Sequence, residues 1–259
     1  MKKSVCIDCV PGKTPTEKFA LARKHRFEGV EVNTLPDAAS RQEYLALSRS
    51  SGVGISSVMN NDHWKYPLSD SDRKVRDKSL AGIAASIETA VALGTDMVLI
   101  VPAVVTADTT YEQALLRSRE TISEILPLCQ KNKVMLGIEN VWNKFLLSPV
   151  EFAHYVDSFD SEFIAAYFDV GNIVAYGFPD HWIRTLGKRI KRLHVKGFDS
   201  NKHAFVQLRY GTIDWQRVVA ALKVTGYTSF MTAELGPEGS DPLKGFRKIS
   251  RDMDAILSM

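Results

Sequence analysis

Four apolar segments of this chain each run into a residue that can bind a metal or carry a proton. Val134-Met135-Leu136-Gly137-Ile138 leads into Glu139, the segment 163–168 into Asp169, Ile190-Lys191-Arg192-Leu193 into His194, and the segment 229–233 into Glu234. A strand buried on both faces does not end in a charge unless that charge meets a partner, a proton or a metal. Three carboxylates and an imidazole suit a divalent ion of the Mn²⁺, Mg²⁺ or Co²⁺ type and leave positions for water or substrate oxygens. A structural zinc would want thiolates, and Cys6, Cys9 and Cys129 lie in the wrong places. Any one of the four is explained as well by a polar strand end bonded to a loop amide. Four successive segments ending this way are not.

The elements that must position these residues alternate along the whole chain. Strands are predicted over 4–10, 28–33, 52–59, 96–101, 134–139, 163–168, 190–195 and 229–233 from short apolar runs between polar breaks. Helices are predicted from Thr14 to about Arg26, over 37–51, 72–93, 110–130, 148–159, 180–186 and 213–225, and from Asp241 onward. Thr14-Pro15-Thr16-Glu17 and Ser148-Pro149-Val150-Glu151 carry capping-box spacing, and Gly94 stops the long helix. Eight strand–helix pairs without a linker predict one domain over 1–259, an α/β fold of the parallel (β/α)8 TIM-barrel type. An open doubly wound sheet is the alternative, but no Gly-x-Gly-x-x-Gly follows the first strand. In a barrel all C-terminal strand ends share one mouth. Alternation puts Glu139 on one face with Gly137 and Met135, and Asp169 with Tyr167 and Ala165, so the four side chains can point inward.

Composition narrows the class. The 259 residues carry 33 basic and 30 acidic side chains, a net charge of +3 that implies no polyanionic partner and no nucleic acid. No stretch approaches the roughly 20 apolar residues of a membrane span, and no signal-length apolar region follows Met1-Lys2-Lys3. Three cysteines fit reduced thiols in a cytoplasmic protein better than a disulfide framework. Cys6-x-x-Cys9 lies inside the first predicted strand and reads as packing rather than as a redox motif.

Ile138-Glu139-Asn140, Phe168-Asp169-Val170-Gly171-Asn172, Leu193-His194-Val195-Lys196 and Ala233-Glu234-Leu235 resemble the strand-end motifs of the xylose isomerase-like TIM-barrel superfamily. They are most similar to its sugar-phosphate isomerase/epimerase branch, which includes L-ribulose-5-phosphate 3-epimerases and hexulose-6-phosphate isomerases. The likeness extends to Asn61-x-His63-Trp64 and to Gly211-Thr212-Ile213-Asp214-Trp215. It implies that Glu139, Asp169, His194 and Glu234 hold one divalent ion, Mn²⁺ ahead of Mg²⁺, Co²⁺ or Zn²⁺. It also implies that Glu139 and Glu234 are the acid/base pair on either side of a small sugar or sugar phosphate. The metal would stabilise an enediolate while one glutamate removes the proton beside the carbonyl and the other returns it. Return to the opposite face of the same carbon is epimerisation; return to the neighbouring carbon is aldose–ketose isomerisation. Relatives of this kind often form homodimers or homotetramers.

Further candidates for substrate contact are His63, which matches a substrate-contacting histidine of the family, Glu31 at the second strand's end, which could bind a sugar hydroxyl or be a paired strand-end charge, and Trp64 and Trp142 as pocket walls. Asn172 replaces the histidine of tagatose-type epimerases three residues after the aspartate, and Ser200 stands six residues after His194 where they carry an arginine; both departures speak against free-ketose specificity. Lys196 resembles the phosphosugar branch, and Lys196, Lys202 and Arg209 are the cations that could meet a phosphate. His25, His154, His181 and His203 have no companion ligands. Three other functions compete. A metal-dependent lyase or dehydratase could act on a keto-sugar or keto-glycoside at the same site. Endonuclease IV shares the barrel but needs more histidines and a basic face. A sugar-binding regulator would have no use for two acid/base glutamates.

Overall fold

A computed structural model describes residues 1–259. Eight parallel strands close a barrel: β1 (Lys2–Cys6), β2 (Gly29–Asn33), β3 (Gly54–Met59), β4 (Met97–Ile100), β5 (Met135–Glu139), β6 (Ile164–Asp169), β7 (Ile190–Val195) and β10 (Phe230–Ala233), with β10 seated between β7 and β1. Around it run α1 (Pro15–Lys24), α2 (Ala38–Ser51), α3 (Arg73–Leu93), α4 (Tyr111–Asn132), α5 (Pro149–Asp157), α6 (Pro179–Leu186), α7 (Trp215–Val224) and α8 (Pro242–Leu257). The fold is the (β/α)8 TIM barrel that the alternation predicts.

Local chemistry sets the element ends. Thr14 and Ser148 accept from the backbone N–H of Glu17 and Glu151, while those glutamates reach back to the N–H of Lys13 and Leu147, one residue ahead of each cap. The side chain of Asp72 caps α3, and Gly94 closes it at φ 72°, a left-handed conformation that glycine adopts without a Cβ penalty. The first strand is shorter than predicted: it ends at Cys6, and Ile7–Cys9 is a 3₁₀ turn, so the two cysteines of Cys6-x-x-Cys9 do not share a strand. A second departure follows β7, where β8 (Gly197–Asp199) and β9 (Ala204–Val206) form an antiparallel hairpin before α7.

The apolar side chains divide by strand alternation. Leu136 and Ile138 face outward into the large cluster of 58 buried residues that joins sheet to helices. The lumen holds a separate cluster of Met97, Leu99, Ala165 and Tyr167, with Met59 and Met135 against it. Below it the interior turns polar, with Arg192 donating to Ser56 O at 2.8 Å and to Asp96 Oδ1 at 2.6 Å.

Gly137 of β5 makes room for the Tyr167 ring. A Cβ there would lie 2.8 Å from Met97 Sδ and 3.0 Å from Tyr167 Cβ. Gly137→Val is therefore expected to destabilise the fold by about 1–3 kcal/mol through overpacking of the lumen. Urea unfolding reads this as a lower midpoint at constant slope; an unchanged midpoint would show that the lumen can relax.

Candidate active site

The barrel delivers its four strand-end residues to one place. Glu139 and Asp169 are the last residues of β5 and β6, His194 is the penultimate residue of β7, and Glu234 directly follows β10. Register aligns them: Asp169 pairs with His194 across β6 and β7, and His194 with Thr232 across β7 and β10. One ligand atom from each of Glu139, Asp169, His194 and Glu234 falls within a set whose members all lie within 4.8 Å of one another. His194 Nδ1 stands 2.8 Å from Glu139 Oε1 and 3.5 Å from Glu234 Oε2.

Asp169 is held by a small polar frame. Its backbone N–H donates to Asn140 Oδ1, and Asn140 Nδ2 donates to Asp169 O, both at 2.9 Å. Asp169 Oδ1 accepts from the Asn172 N–H at 2.7 Å. Asp169 Oδ2 is buried and makes no well-aligned hydrogen bond, although Lys196 Nζ sits 2.9 Å away as an ion-pair partner. A buried carboxylate oxygen of this kind, facing two more carboxylates and an imidazole nitrogen, is what a divalent cation would satisfy. The donor set fits one such ion.

The opposite side of His194 is just as constrained. Nε2 meets Glu31 Oε1 at 2.8 Å, and Glu31 Oε2 accepts from Tyr167 Oη at 2.6 Å and Ser57 Oγ at 2.7 Å. Glu31 is open to two readings in the sequence, a sugar contact or a paired strand-end charge, and its contacts match the pairing. It lies buried beneath His194 and orients the ring, the usual place for a carboxylate that supports a metal-binding histidine. Cys6 Sγ also approaches Glu31 Oε1, at 3.3 Å.

Electrostatics follow from this crowding. Burial pushes the Glu139 carboxyl up, and Glu234 and Asp169 add to the rise against the opposing pull of His194; it reaches about 7. Burial acts on Glu234 the same way, but His194 and Lys196 outweigh it and hold its carboxyl below the ordinary value. Burial disfavours the His194 imidazolium, yet Glu31, Glu234 and Glu139 together keep its pKa well above the usual value. At His63 burial outweighs the pull of Glu234 and Glu31, lowers the imidazole to about 4 and leaves it neutral at physiological pH.

A cavity of about 240 Å³ opens above the cluster. His63, Trp64, Trp142, Asn172 and Lys196 line it together with Glu139 and Glu234. Phe205, on β9, is a wall residue that sequence reasoning missed. Asn172 donates its side-chain N–H to Asn140 O and accepts from Trp142 Nε1 through its backbone carbonyl, so it braces the frame as much as it faces the cavity. Lys196 turns back onto Asp169 and Glu234. Arg209 is not in the cavity wall; its guanidinium lies 4.0 Å from Asp252 of α8. His203 stacks on Trp142, with ring centroids 5.7 Å apart.

Comparison with known proteins agrees with this geometry. Residues 19–255 match the family described as xylose isomerase-like TIM barrel. The chain belongs to this family. Among curated relatives, L-ribulose-5-phosphate 3-epimerase UlaE of Escherichia coli strain SMS-3-5 is 24% identical over 245 residues, covering 89% of this chain and 85% of that one. The UlaE protein of Salmonella paratyphi A is 23% identical over the same length and coverage. Among solved structures, a D-tagatose 3-epimerase-like protein superposes with a TM-score of 0.83 at 18% identity, covering 100% of this chain and 99% of that one. The apo 3-keto-D-glucoside 4-epimerase YcjR of E. coli does so with a TM-score of 0.86 at 13% identity, covering 100% of both chains. No helix is long and apolar enough to cross a membrane.

Glu31→Gln removes the carboxylate behind His194 while keeping its size. Mn²⁺ affinity measured by calorimetry is expected to fall by about 10–100-fold. Unchanged affinity would mean that His194 needs no such support.

Proposed function

We propose that this protein is a divalent-metal-dependent carbohydrate epimerase that moves a proton at the carbon beside a sugar carbonyl. The observation that carries the reading is the convergence of Glu139, Asp169, His194 and Glu234 at the barrel mouth. The names of the relatives, all epimerases among those above, point the same way. Glu139, Asp169, His194 and Glu234 would hold the ion, with Mn²⁺ the first candidate. When bound, it would supply positive charge beside the carbonyl and hydroxyl oxygens of the substrate, lowering the barrier to removing a weakly acidic C–H proton.

The chain's own residues do the rest. Glu139 from β5 and Glu234 beyond β10 approach from strands separated by β6 and β7, which suits two carboxylates working on opposite faces of one carbon. One oxygen of the deprotonated glutamate takes the proton, and the partner glutamate, protonated, returns one from the other side. Lys196 stabilises the carboxylate form of Glu234 between turnovers. His63, Trp64 and Trp142 line the sides of the cavity. A lyase acting on a β-leaving group gains no support from relatives that are named as epimerases.

Solvent exchange tests this reading. Incubation of Mn²⁺-loaded protein with ketoses, ketose phosphates and keto-glycosides in deuterated water should place deuterium beside the carbonyl of a substrate, as read by NMR. Glu139→Gln and Glu234→Gln should each slow exchange by about 10²–10⁴-fold, the usual worth of a positioned acid or base. Full exchange in either variant would overturn the two-glutamate mechanism. Chelation with EDTA should abolish turnover, and added Mn²⁺ should restore it; activity that survives complete metal removal would refute the metal requirement.

A further inference from the structure

The walls of the cavity bear on what kind of sugar it takes. Lys196 is the one cation that lines it, and its ammonium is engaged by Asp169 and Glu234. The other two cations that the sequence offers to a phosphate are also paired: Lys202 Nζ lies 3.5 Å from Asp199 Oδ2, and Arg209 Nη1 lies 4.0 Å from Asp252 Oδ1. In this fold a phosphate is often bound by the loops after the seventh and eighth barrel strands and by a helix N-terminus there. Here both helix N-termini carry their own carboxylate caps, Asp214 on the Arg217 N–H and Asp241 on the Lys244 N–H, each at 3.0 Å. Glu238 adds a further carboxylate to the adjoining cavity beside Lys196 and Glu234.

Charge counting points the same way. With His194 neutral as a ligand and either Glu139 or Glu234 protonated to act as the acid, the remaining three carboxylates, Glu31 and Asp169 among them, balance a divalent ion and the Lys196 ammonium. The centre would then hold no surplus positive charge to attract a further anion. A phosphate dianion placed beside it would lie against carboxylates, and the one cation in the cavity lining is already engaged by two of them.

What the cavity offers instead is aromatic surface. Trp142 and Phe205 lie with ring centroids 4.9 Å apart and planes inclined by 30°, and they remain 47% and 45% exposed. Trp142 is fixed by its Nε1 donating to Asn172 O at 2.7 Å, and Phe198 and His203 pack against it. A rigid aromatic face beside a polar reaction centre presents apolar area at small entropic cost. It complements the C–H face of a sugar ring or chain.

We propose that the substrate is an uncharged ketose or keto-glycoside, not a sugar phosphate, and that its C–H face rests on the Trp142–Phe205 wall. This rests on the epimerase reading above and departs from the 5-phosphate in the names of the curated relatives.

The test compares matched pairs on the Mn²⁺-loaded protein: L-ribulose against L-ribulose 5-phosphate, and D-tagatose and a methyl 3-keto-glucoside against their phosphorylated forms. Deuterium exchange gives kcat/KM, and calorimetry gives binding independently of chemistry. The uncharged member of at least one pair should exceed its phosphate by about tenfold or more, about 1.4 kcal/mol, in both measurements. Trp142→Ala and Phe205→Ala should each raise KM for that sugar by about 5–20-fold with little change in kcat, the pattern of lost uniform binding. Preference for the phosphate in both measurements would overturn the substrate class and leave epimerisation standing. If no sugar exchanges deuterium, the epimerase reading fails, and calorimetry alone decides this proposal. Tighter binding of the uncharged member supports it; equal or weaker binding overturns it. If either aromatic variant is misfolded by circular dichroism, the other supplies the KM readout.

Discussion

Buried negative charge is the constraint on which the mouth of this barrel depends. Glu31, Glu139 and Asp169 are buried around a fully buried His194, and Glu234 closes the set. Each ion removed from water costs several kcal/mol unless its partners are well placed. His194 answers part of that cost by presenting one ring nitrogen to Glu139 and the other to Glu31. Lys196 answers another part from the Asp169 and Glu234 side. What is left over, an Asp169 oxygen without a well-aligned hydrogen bond and an excess of carboxylates, is a standing demand for a cation. The divalent ion proposed above would meet that demand.

The demand can persist because the rest of the barrel does not share it. Outward-facing side chains of the strands join the helices in one large apolar cluster, while inward-facing ones build the lumen and the mouth. Stability and chemistry are thereby assigned to opposite faces of the same strands. Tyr167 links the two layers inside the barrel. It packs with Met97 and Leu99, and its hydroxyl donates to Glu31, so the ring that fills the lumen also fixes the carboxylate behind His194. Gly137 is small because that ring crosses in front of it.

This division explains which features are legible in the sequence. Strand alternation alone places Glu139 with Gly137 and Asp169 with Tyr167, because a period of two has no other solution once both ends of a buried run are known. The ends of α3 follow from Asp72 and Gly94, whose chemistry is local. Glu31 does not yield to the same treatment. A glutamate in a strand looks alike in sequence whether it reaches solvent or the lumen, and its decisive partners, Tyr167 and His194, lie 136 and 163 residues away. Arg209 looks available to a phosphate in the sequence because its carboxylate partner, Asp252, belongs to the last helix. The β8–β9 hairpin leaves no trace there because three-residue strands carry too little pattern to register. Phe205 is hidden with it, a cavity wall with no motif to mark it.

That hairpin shows how a new wall can be added without disturbing the barrel. It leaves β7 one residue after Val195 and packs its backbone tightly: a Cβ at Gly197 would collide with Gln207 O, and one at Gly211 with Phe198 O. Close packing makes the insertion rigid, so Phe205 is held in place, its ring centroid 5.3 Å from Lys196 Nζ. One side of that ring shields the ammonium, which strengthens its pairing with Asp169 and Glu234 by excluding water. The same ring, with Trp142, lines the cavity above. The cation is thus held by Asp169 and Glu234 beneath a ring that offers the cavity an apolar face. Charge neutralisation and the apolar wall meet at one phenylalanine, on a hairpin that is tied to the barrel by its buried Phe198.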